Sequence, residues 1–290
     1  MKKSCFLIVC CAFLLVVGSL AFGQEWDEPP GGWDGWYNDW ADLADWNHDN
    51  DSDQWDGSAP GEAGTSPGGA IVEMFDGDPV LSIEDTGDPR NAGVAEPSNR
   101  KIYLQQEATS VGNIFEDGVT FIARWRINPN PLEAPANGYI LHDGGKGQVG
   151  IVHDGSEAGD GVDYNLSFAM DTGGLIFFAS ENQSTALEVG DEFQFHAVWA
   201  TAVISEGGVS LNVYLDGEMT PAFSGDVTLG DGNDDNFANY LAVGMGSTGQ
   251  DGAMQVDYIG FKAGIYEPSL GAAVSPTDKL PYIWGKLKSR

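Results

Sequence analysis

From Gly69 onward the chain alternates apolar and polar residues in short runs, the period-two pattern of half-buried β-strands. The runs "AIVEMFDG", "VLSIED", "KIYLQQ", "GVTFIARWRI", "GYILHDG", "QVGIVHDG", "VDYNLSFAM", "GLIFFAS", "EFQFHAVWATAVI", "GVSLNVYLDG", "NYLAVGMG" and "MQVDYIGFKAG" follow in turn, bounded by Gly, Asp, Asn or Pro. Forty glycines supply the turns between them. No interval holds an amphipathic helix long enough to carry a parallel crossover, so the strands are expected to pair antiparallel.

The alternation also assigns faces. In "TFIARWRI", Phe121, Ala123, Trp125 and Ile127 oppose Arg124 and Arg126; in "VDYNLSFAM", Tyr164, Leu166, Phe168 and Met170 oppose Asp163, Asn165, Ser167 and Ala169. In "GVSLNVYLDG", Val209, Leu211, Val213 and Leu215 oppose Ser210, Asn212, Tyr214 and Asp216. One apolar and one polar face per strand predicts an all-β fold of two packed sheets, a sandwich. The same reading of "EFQFHAVW" puts Phe193, Phe195, Ala197 and Trp199 toward the core, and Gln194, His196 and Val198 on the outer surface.

Gln24 to Gly69 reads differently. It holds six of the nine tryptophans, whereas disordered acidic linkers are poor in aromatics, so it is not expected to be a mere tail. Trp33, Trp36, Tyr37, Trp40, Leu43 and Ala44 recur at helical spacing and predict one short helix. The stretch "GSAPGEAGTSPGG" reads as a turn-rich loop, and Ser269 to Arg290 turns basic around Trp284.

Composition then narrows the setting. Lys2 and Lys3 precede an apolar run from Cys5 to Val17, and Ala21-Phe22-Gly23 precedes Gln24, the layout of a secretory signal peptide over residues 1–23. A retained membrane anchor is the alternative reading, since the stretch reaches roughly the 20 residues that span a bilayer. All three cysteines lie in this segment, so the exported chain is expected to hold no disulfide. Cleavage also removes two positive charges from a formal net charge of -31, leaving -33. Such a surface repels nucleic-acid phosphates and anionic lipid, and suits divalent cations and neutral ligands.

The order "QWDGS", "VLSIEDTGDPR", "FIARWRI", "FHAVW", "VYLDG" and "VDYIGF" resembles the concanavalin A-like lectin and glucanase superfamily, and within it the laminin-G-like jelly rolls of secreted bacterial proteins. The likeness covers roughly Asp45 to Tyr266. It implies a jelly-roll sandwich over 45–266, with a Trp- and Asp-rich segment at 24–44 and a basic segment at 267–290. Laminarinase-type members of that superfamily carry Glu-x-Asp-x-x-Glu on one strand, and no strand here has that spacing. "VDYNLSFAM" is the candidate equivalent, with Asp163, Asn165 and Ser167 on its polar face. A retaining glycosidase needs two carboxyl groups about 5 Å apart, so a lone Asp163 cannot run that mechanism. The "HDGG" and "HDGS" stretches, with His142, Asp143, His153 and Asp154, read first as turns and second as metal ligands.

The resemblance also implies a structural calcium. Asp257 of "QVDYIGF" matches the family's ligating aspartate, and Gly77 of "MFDGDPVLSI" its carbonyl-donating glycine. The stretch "DWNHDNDSDQWD" has acidic spacing from Asp45 to Asp56, but Asn50 stands where a calcium loop has glycine and Asp56 where it has glutamate. It reads first as a solvated domain edge and second as a calcium site. The expected protein is a secreted, non-catalytic binding or adhesion module for glycans, with Arg124, Arg126, Asn165, His196, Asn212 and Tyr214 as candidate ligand contacts. The alternatives are a glycoside hydrolase or lyase of the same fold and a structural envelope protein. Neither nucleic acid nor, after signal cleavage, membrane is an expected partner.

Overall fold

The computed structural model describes residues 26–41, 46–48, 69–85, 101–110, 112–129, 147–171, 173–180, 183–230, 237–246 and 252–270. They form, in chain order, strands β1 (Gly35–Tyr37), β2 (Asn47–His48), β3 (Gly69–Phe75), β4 (Asp78–Asp85), β5 (Lys101–Glu107), β6 (Val119–Ile127) and β7 (Gly147–His153). A four-residue helix α1 (Gly155–Ala158) follows. The chain continues through β8 (Tyr164–Asp171), β9 (Leu175–Ser180), β10 (Gln183–Glu188), β11 (His196–Ser205), β12 (Gly208–Leu215), β13 (Phe223–Val227), β14 (Asn239–Gly246) and β15 (Gly252–Ala263).

Two antiparallel sheets pack as a sandwich of jelly-roll type. One runs β13-β12-β11-β6-β15-β4-β3, with β1 added to β15, and the other runs β10-β9-β8-β7-β14-β5-β2. The core between them uses the faces that alternation assigns on three strands: Phe121, Ala123, Trp125 and Ile127 from β6, Leu166, Phe168 and Met170 from β8, and Val209, Leu211 and Val213 from β12. Phe121 and Phe168 stack across the two sheets with ring centres 5.9 Å apart. Burying such side chains at about 1.5–3 kcal/mol each is the main force that holds the layers together.

The face assignment of "EFQFHAVW" fails. Residues 192–195 turn, and β11 begins only at His196. Val198, Ala200 and Ala202 face the inter-sheet core, whereas Trp199 lies on the outer face beside Ile122 and Tyr214. Trp199 is nevertheless only 1% exposed. Trp26 and Trp33 cover it edge-on at 5.8 and 5.1 Å, and its Nε1–H donates to the Tyr266 carbonyl at 2.8 Å.

No helix forms among the described residues between Trp33 and Ala41. The chain instead runs beside β15 as β1, pairing Gly35 with Phe261 and Tyr37 with Ile259. Side chains of β1 then alternate to opposite faces, where helical spacing would have gathered them on one. Trp40 follows with φ 54°, a left-handed conformation unusual for a bulky residue, and turns the strand inward. Its indole and that of Trp46 are each 3% exposed and belong to the inter-sheet core. Residues 26–41 are therefore built into the sandwich. The basic residues from 271 on lie outside the described residues.

An outer-face tryptophan that is covered should behave like core. We expect Trp199→Ala to cost about 3–5 kcal/mol in urea unfolding, as for buried large aromatics. Trp33→Ala should couple to it by about 0.5–1.5 kcal/mol in a double-mutant cycle. A cost within about 0.5 kcal/mol, the usual figure for a surface position, would mean that the cover is not formed.

Candidate functional site

β15 is paired along one side by two different strands. β4 pairs it from Gly252 to Val256, and β1 takes over at Ile259. The register slips between Val256 and Tyr258, a β-bulge centred on Asp257. Pro79, the second residue of β4, has no N–H to extend the ladder. A cleft of about 470 Å³ opens at this handover. Bulges re-aim side chains, and here both the Asp257 and Tyr258 side chains line the opening.

One wall is aromatic. Trp33 stacks on Trp36 at 5.5 Å with planes 22° apart, and Trp36 stacks on Tyr258 at 4.9 Å and 29°. Gly260 makes this possible, because a Cβ there would come within 2.7 Å of the Trp36 ring. Trp36 keeps 39% of its surface exposed. Trp26, Pro79 and Ile122 add apolar lining, and Asp27, Glu28, Asp39, Asp78 and Asp257 stand beside Arg124. Arg124 Nη1 donates to Asp257 Oδ2 at 2.6 Å. The cleft thus offers a flat apolar platform, a ring of hydrogen-bond acceptors and a negative potential.

The structure scatters the six candidate ligand contacts. Arg124 lines the cleft, and none of the other five does. Arg126 is not open to a ligand: it is 8% exposed, its guanidinium lies 4.1 Å from the Phe75 ring and 4.6 Å from the Phe195 ring, and Nε and Nη2 both donate to Gln255 Oε1. Burial pushes its pKa down. Asn165 belongs to the other sheet, where its Oδ1 accepts from Ser167. Asn212 donates to Thr201 Oγ1 at 3.4 Å. Tyr214 is 4% exposed in the outer aromatic cluster, and burial, then the Glu267 charge, raises its pKa.

His196 moves furthest from its expected place. It sits on the core side of β11 and is 7% exposed. Its Nδ1 lies 2.8 Å from Asp216 Oδ2, and its Nε2 lies 2.8 Å from the Asp191 carbonyl. Both partners are acceptors, which a doubly protonated ring satisfies and a neutral one does not. Burial alone would lower its pKa; the Asp216 and Asp191 hydrogen bonds and charges outweigh it, and the net shift is upward.

Two of the residues matched to calcium are described, and each has a partner or a role of its own. Asp257 Oδ2 accepts from Arg124 Nη1 at 2.6 Å, so a cation on that oxygen would compete with the guanidinium. Gly77 forms the β3–β4 turn with Asp76, at φ 99° and 51°, and that turn accounts for the glycine. Asp45 and Asp56 lie outside the described residues. Among the described residues no group of three or more His, Cys, Asp or Glu is gathered as for a metal. In "HDGS", His153 is bound by Asn239 Oδ1 and Asp160 Oδ2, while Asp154 caps α1 through the Ser156 and Glu157 amides. Desolvation would raise the Asp160 pKa, but the Val162 N–H and the His153 ring outweigh it and hold the carboxyl below its ordinary value. His142 and Asp143 lie outside the described residues.

Sequence reasoning missed Trp26, Trp33, Trp36, Asp39 and Asp78 as site residues. The available signal was "EWDEPPGGWDGWYNDW", in which indoles and carboxylates interleave. A helical reading of it hid the platform.

No family model and no curated protein matches this chain. Among solved structures, it is similar to an endo-1,3-β-glucanase from Streptomyces sioyaensis at 14% identity and TM-score 0.43, over 82% of this chain and 98% of that one. It is similar to a GH131 β-glucanase catalytic domain from Podospora anserina at 12% identity and TM-score 0.41, over 80% and 98%. A carbohydrate esterase from the Shiga toxin-encoding bacteriophage phi24B aligns at 12% identity and TM-score 0.45, over 69% and 89%. The functional reading below rests on the cleft and not on these likenesses.

His196 gives a signed pH dependence. Its folded pKa stands above the unfolded value of about 6.5, so its contribution is complete below that pH and is lost as pH rises through the folded pKa. Urea midpoints should fall from pH 6 toward pH 8.5, and His196→Gln should flatten that part of the profile. A wild-type profile matching the variant's would refute the imidazolium.

Proposed function

We propose that the chain is a secreted, non-catalytic carbohydrate-binding module of the concanavalin A-like type, with its ligand lying on Trp36. The observation that carries this reading is the exposed indole backed by Trp33 and Tyr258 and ringed by carboxylates. A pyranose has an apolar C–H face and a rim of hydroxyls, and a flat ring beside acceptors complements both. Arg124 and Asp257 hold each other in place and add one donor and one acceptor at the rim. Among the described residues no helix is long and apolar enough to cross a membrane.

A second reading is favoured by one feature. Five carboxylates from four stretches of chain line the cleft, a distribution that a search for paired residues along one strand cannot reveal. That is the raw material of a glycoside hydrolase. Asp163 is not part of it, since its Oδ1 accepts the Gly155 amide at 2.8 Å.

Glycan-array binding run beside a reducing-sugar assay separates the readings. We expect retention on a glucan or related polysaccharide, weakened about tenfold or more by Trp36→Ala, which is roughly 1.4 kcal/mol. Far-UV circular dichroism should be unchanged and no sugar released. Release abolished by Asp39→Asn or Asp257→Asn would establish the hydrolase instead, and binding indifferent to Trp36 would discard the platform.

A structural calcium remains a proposal, with Asp257 left out of its ligands. An ion at ~100 times its dissociation constant adds about 2.7 kcal/mol of stability. EDTA should therefore lower Tm, equally in wild type and in Asp257→Asn. A melt unmoved by EDTA removes calcium from the reading.

A further inference from the structure

We propose that the cleft is one end of a longer groove, and that its ligand is a linear glycan chain whose further units rest on Phe75 and Phe195. The inference deepens the glycan reading and rests on it. Its first support is continuity. Ile122, Arg124 and Arg126 alternate with the core residues Phe121, Ala123, Trp125 and Ile127, and so share the outer face of the sheet. Arg124 lines the cleft at Asp257, and its guanidinium carbon lies 5.2 Å from the centre of the Phe195 ring. Asp78 and Pro79 also line the cleft, and Phe75 pairs with Asp78 across the β3–β4 turn. Two parts of the lining therefore lead to the same pair of rings.

The second support is how those rings are held. Phe75 and Phe195 lie 5.2 Å apart, with planes 59° from parallel, and each is half-buried. They belong neither to the inter-sheet core nor to the cluster around Trp199. What lies against both is the Arg126 guanidinium, at 4.1 and 4.6 Å. That cation is itself fixed. Its Nε and Nη2 donate to Gln255 Oε1, its Nη1 donates to the Phe193 carbonyl at 3.2 Å, and Gln255 Nε2 donates to Glu73 Oε2 at 2.9 Å. Arg126 is thus a positioning residue, which holds two rings on the sheet surface by cation–π contact. Rings ordered in advance can meet the C–H face of a sugar at low entropic cost.

The third support is spacing. Trp36 pairs with Gly260, which pairs with Ile122, whereas Gln255 pairs with Arg126. The rows of Trp36 and Arg126 are therefore four residues apart along β6, a rise of about 14 Å. A single pyranose cannot touch both, so filling both requires a chain. The row between them holds Arg124 and Tyr258. Arg124 and its partner Asp257 offer a donor and an acceptor to hydroxyls passing from one patch to the other. Two weak subsites joined by one ligand bind it more tightly than either alone.

The test is isothermal titration of the full chain with β-1,3- and β-1,4-linked gluco-oligosaccharides of one to six units. We expect affinity to rise with length by about tenfold or more until both patches are spanned, and then to level off. Phe195→Ala should abolish that rise and leave the shortest oligosaccharide that binds within twofold of wild type, whereas Trp36→Ala should weaken every length. Removing the ring also uncovers Arg126, so Phe195→Leu serves as a second variant. It keeps apolar bulk against the guanidinium, lacks the flat face, and should flatten the length dependence equally. Affinity independent of length in the wild type, or a length dependence kept in both Phe195 variants, would overturn the proposal; short oligosaccharides still bound through Trp36 would leave the glycan reading standing. Binding at no length overturns this proposal, and a blank glycan array beside it removes the glycan reading too.

Discussion

The eight-stranded sheet is apolar on both faces at its centre, and the rest of the architecture depends on covering the second one. β11 and β6 send Val198, Ala200, Phe121 and Ala123 inward and Trp199 and Ile122 outward. An uncovered outer face would leave a tryptophan and its neighbours in water. Trp26 and Trp33 supply the cover from above, and Tyr266 from the segment after β15. The hydrophobic effect thus ties both flanking segments to the middle of the sandwich.

Covering that face also builds the cleft. Trp33 reaches the Trp199 ring on one side and stacks on Trp36 on the other, so one residue belongs to both the packing and the platform. β1 stops short of β4 along β15, and the bulge at Asp257 marks the gap. Trp40 donates its indole N–H to the Asp257 carbonyl at 3.3 Å, linking the bulge to the core. Loosening the cover would therefore disturb the site as well as the fold.

Charge follows the same geometry. Several of the scarce cations lie over aromatic rings within the sheet: Arg126 between Phe75 and Phe195, and Lys262 at 5.4 Å from Tyr266 with Asp34 as its partner. Cations held this way are partly desolvated and oriented, which strengthens their contacts with the rings. The carboxylates Asp27, Glu28, Asp39 and Asp78 line the rim. That division leaves the cleft acidic.

The fold class was legible in the chain wherever one strand face was apolar and the other polar. β6, β8 and β12 state their inner faces through Phe121, Leu166 and Leu211, because period-two burial is a local property. β10 and β13 were not legible: they are the edge strands of their sheets, half solvated, and "QSTALE" and "FSGDV" carry little apolar signal. Within β11, "HAVWATAVI" is apolar on both faces, so alternation could not say which face was the core; only the partner segments on each side decide that. The candidate site shows the same limit. Its rings and carboxylates were visible as a composition in "EWDEPPGGWDGWYNDW", but Trp36 meets Tyr258 and Trp40 donates to the Asp257 carbonyl across more than two hundred residues of chain. Such contacts arise from sheet order and register, which depend on every strand at once. Local pattern determined the sandwich, and tertiary packing decided where it opens.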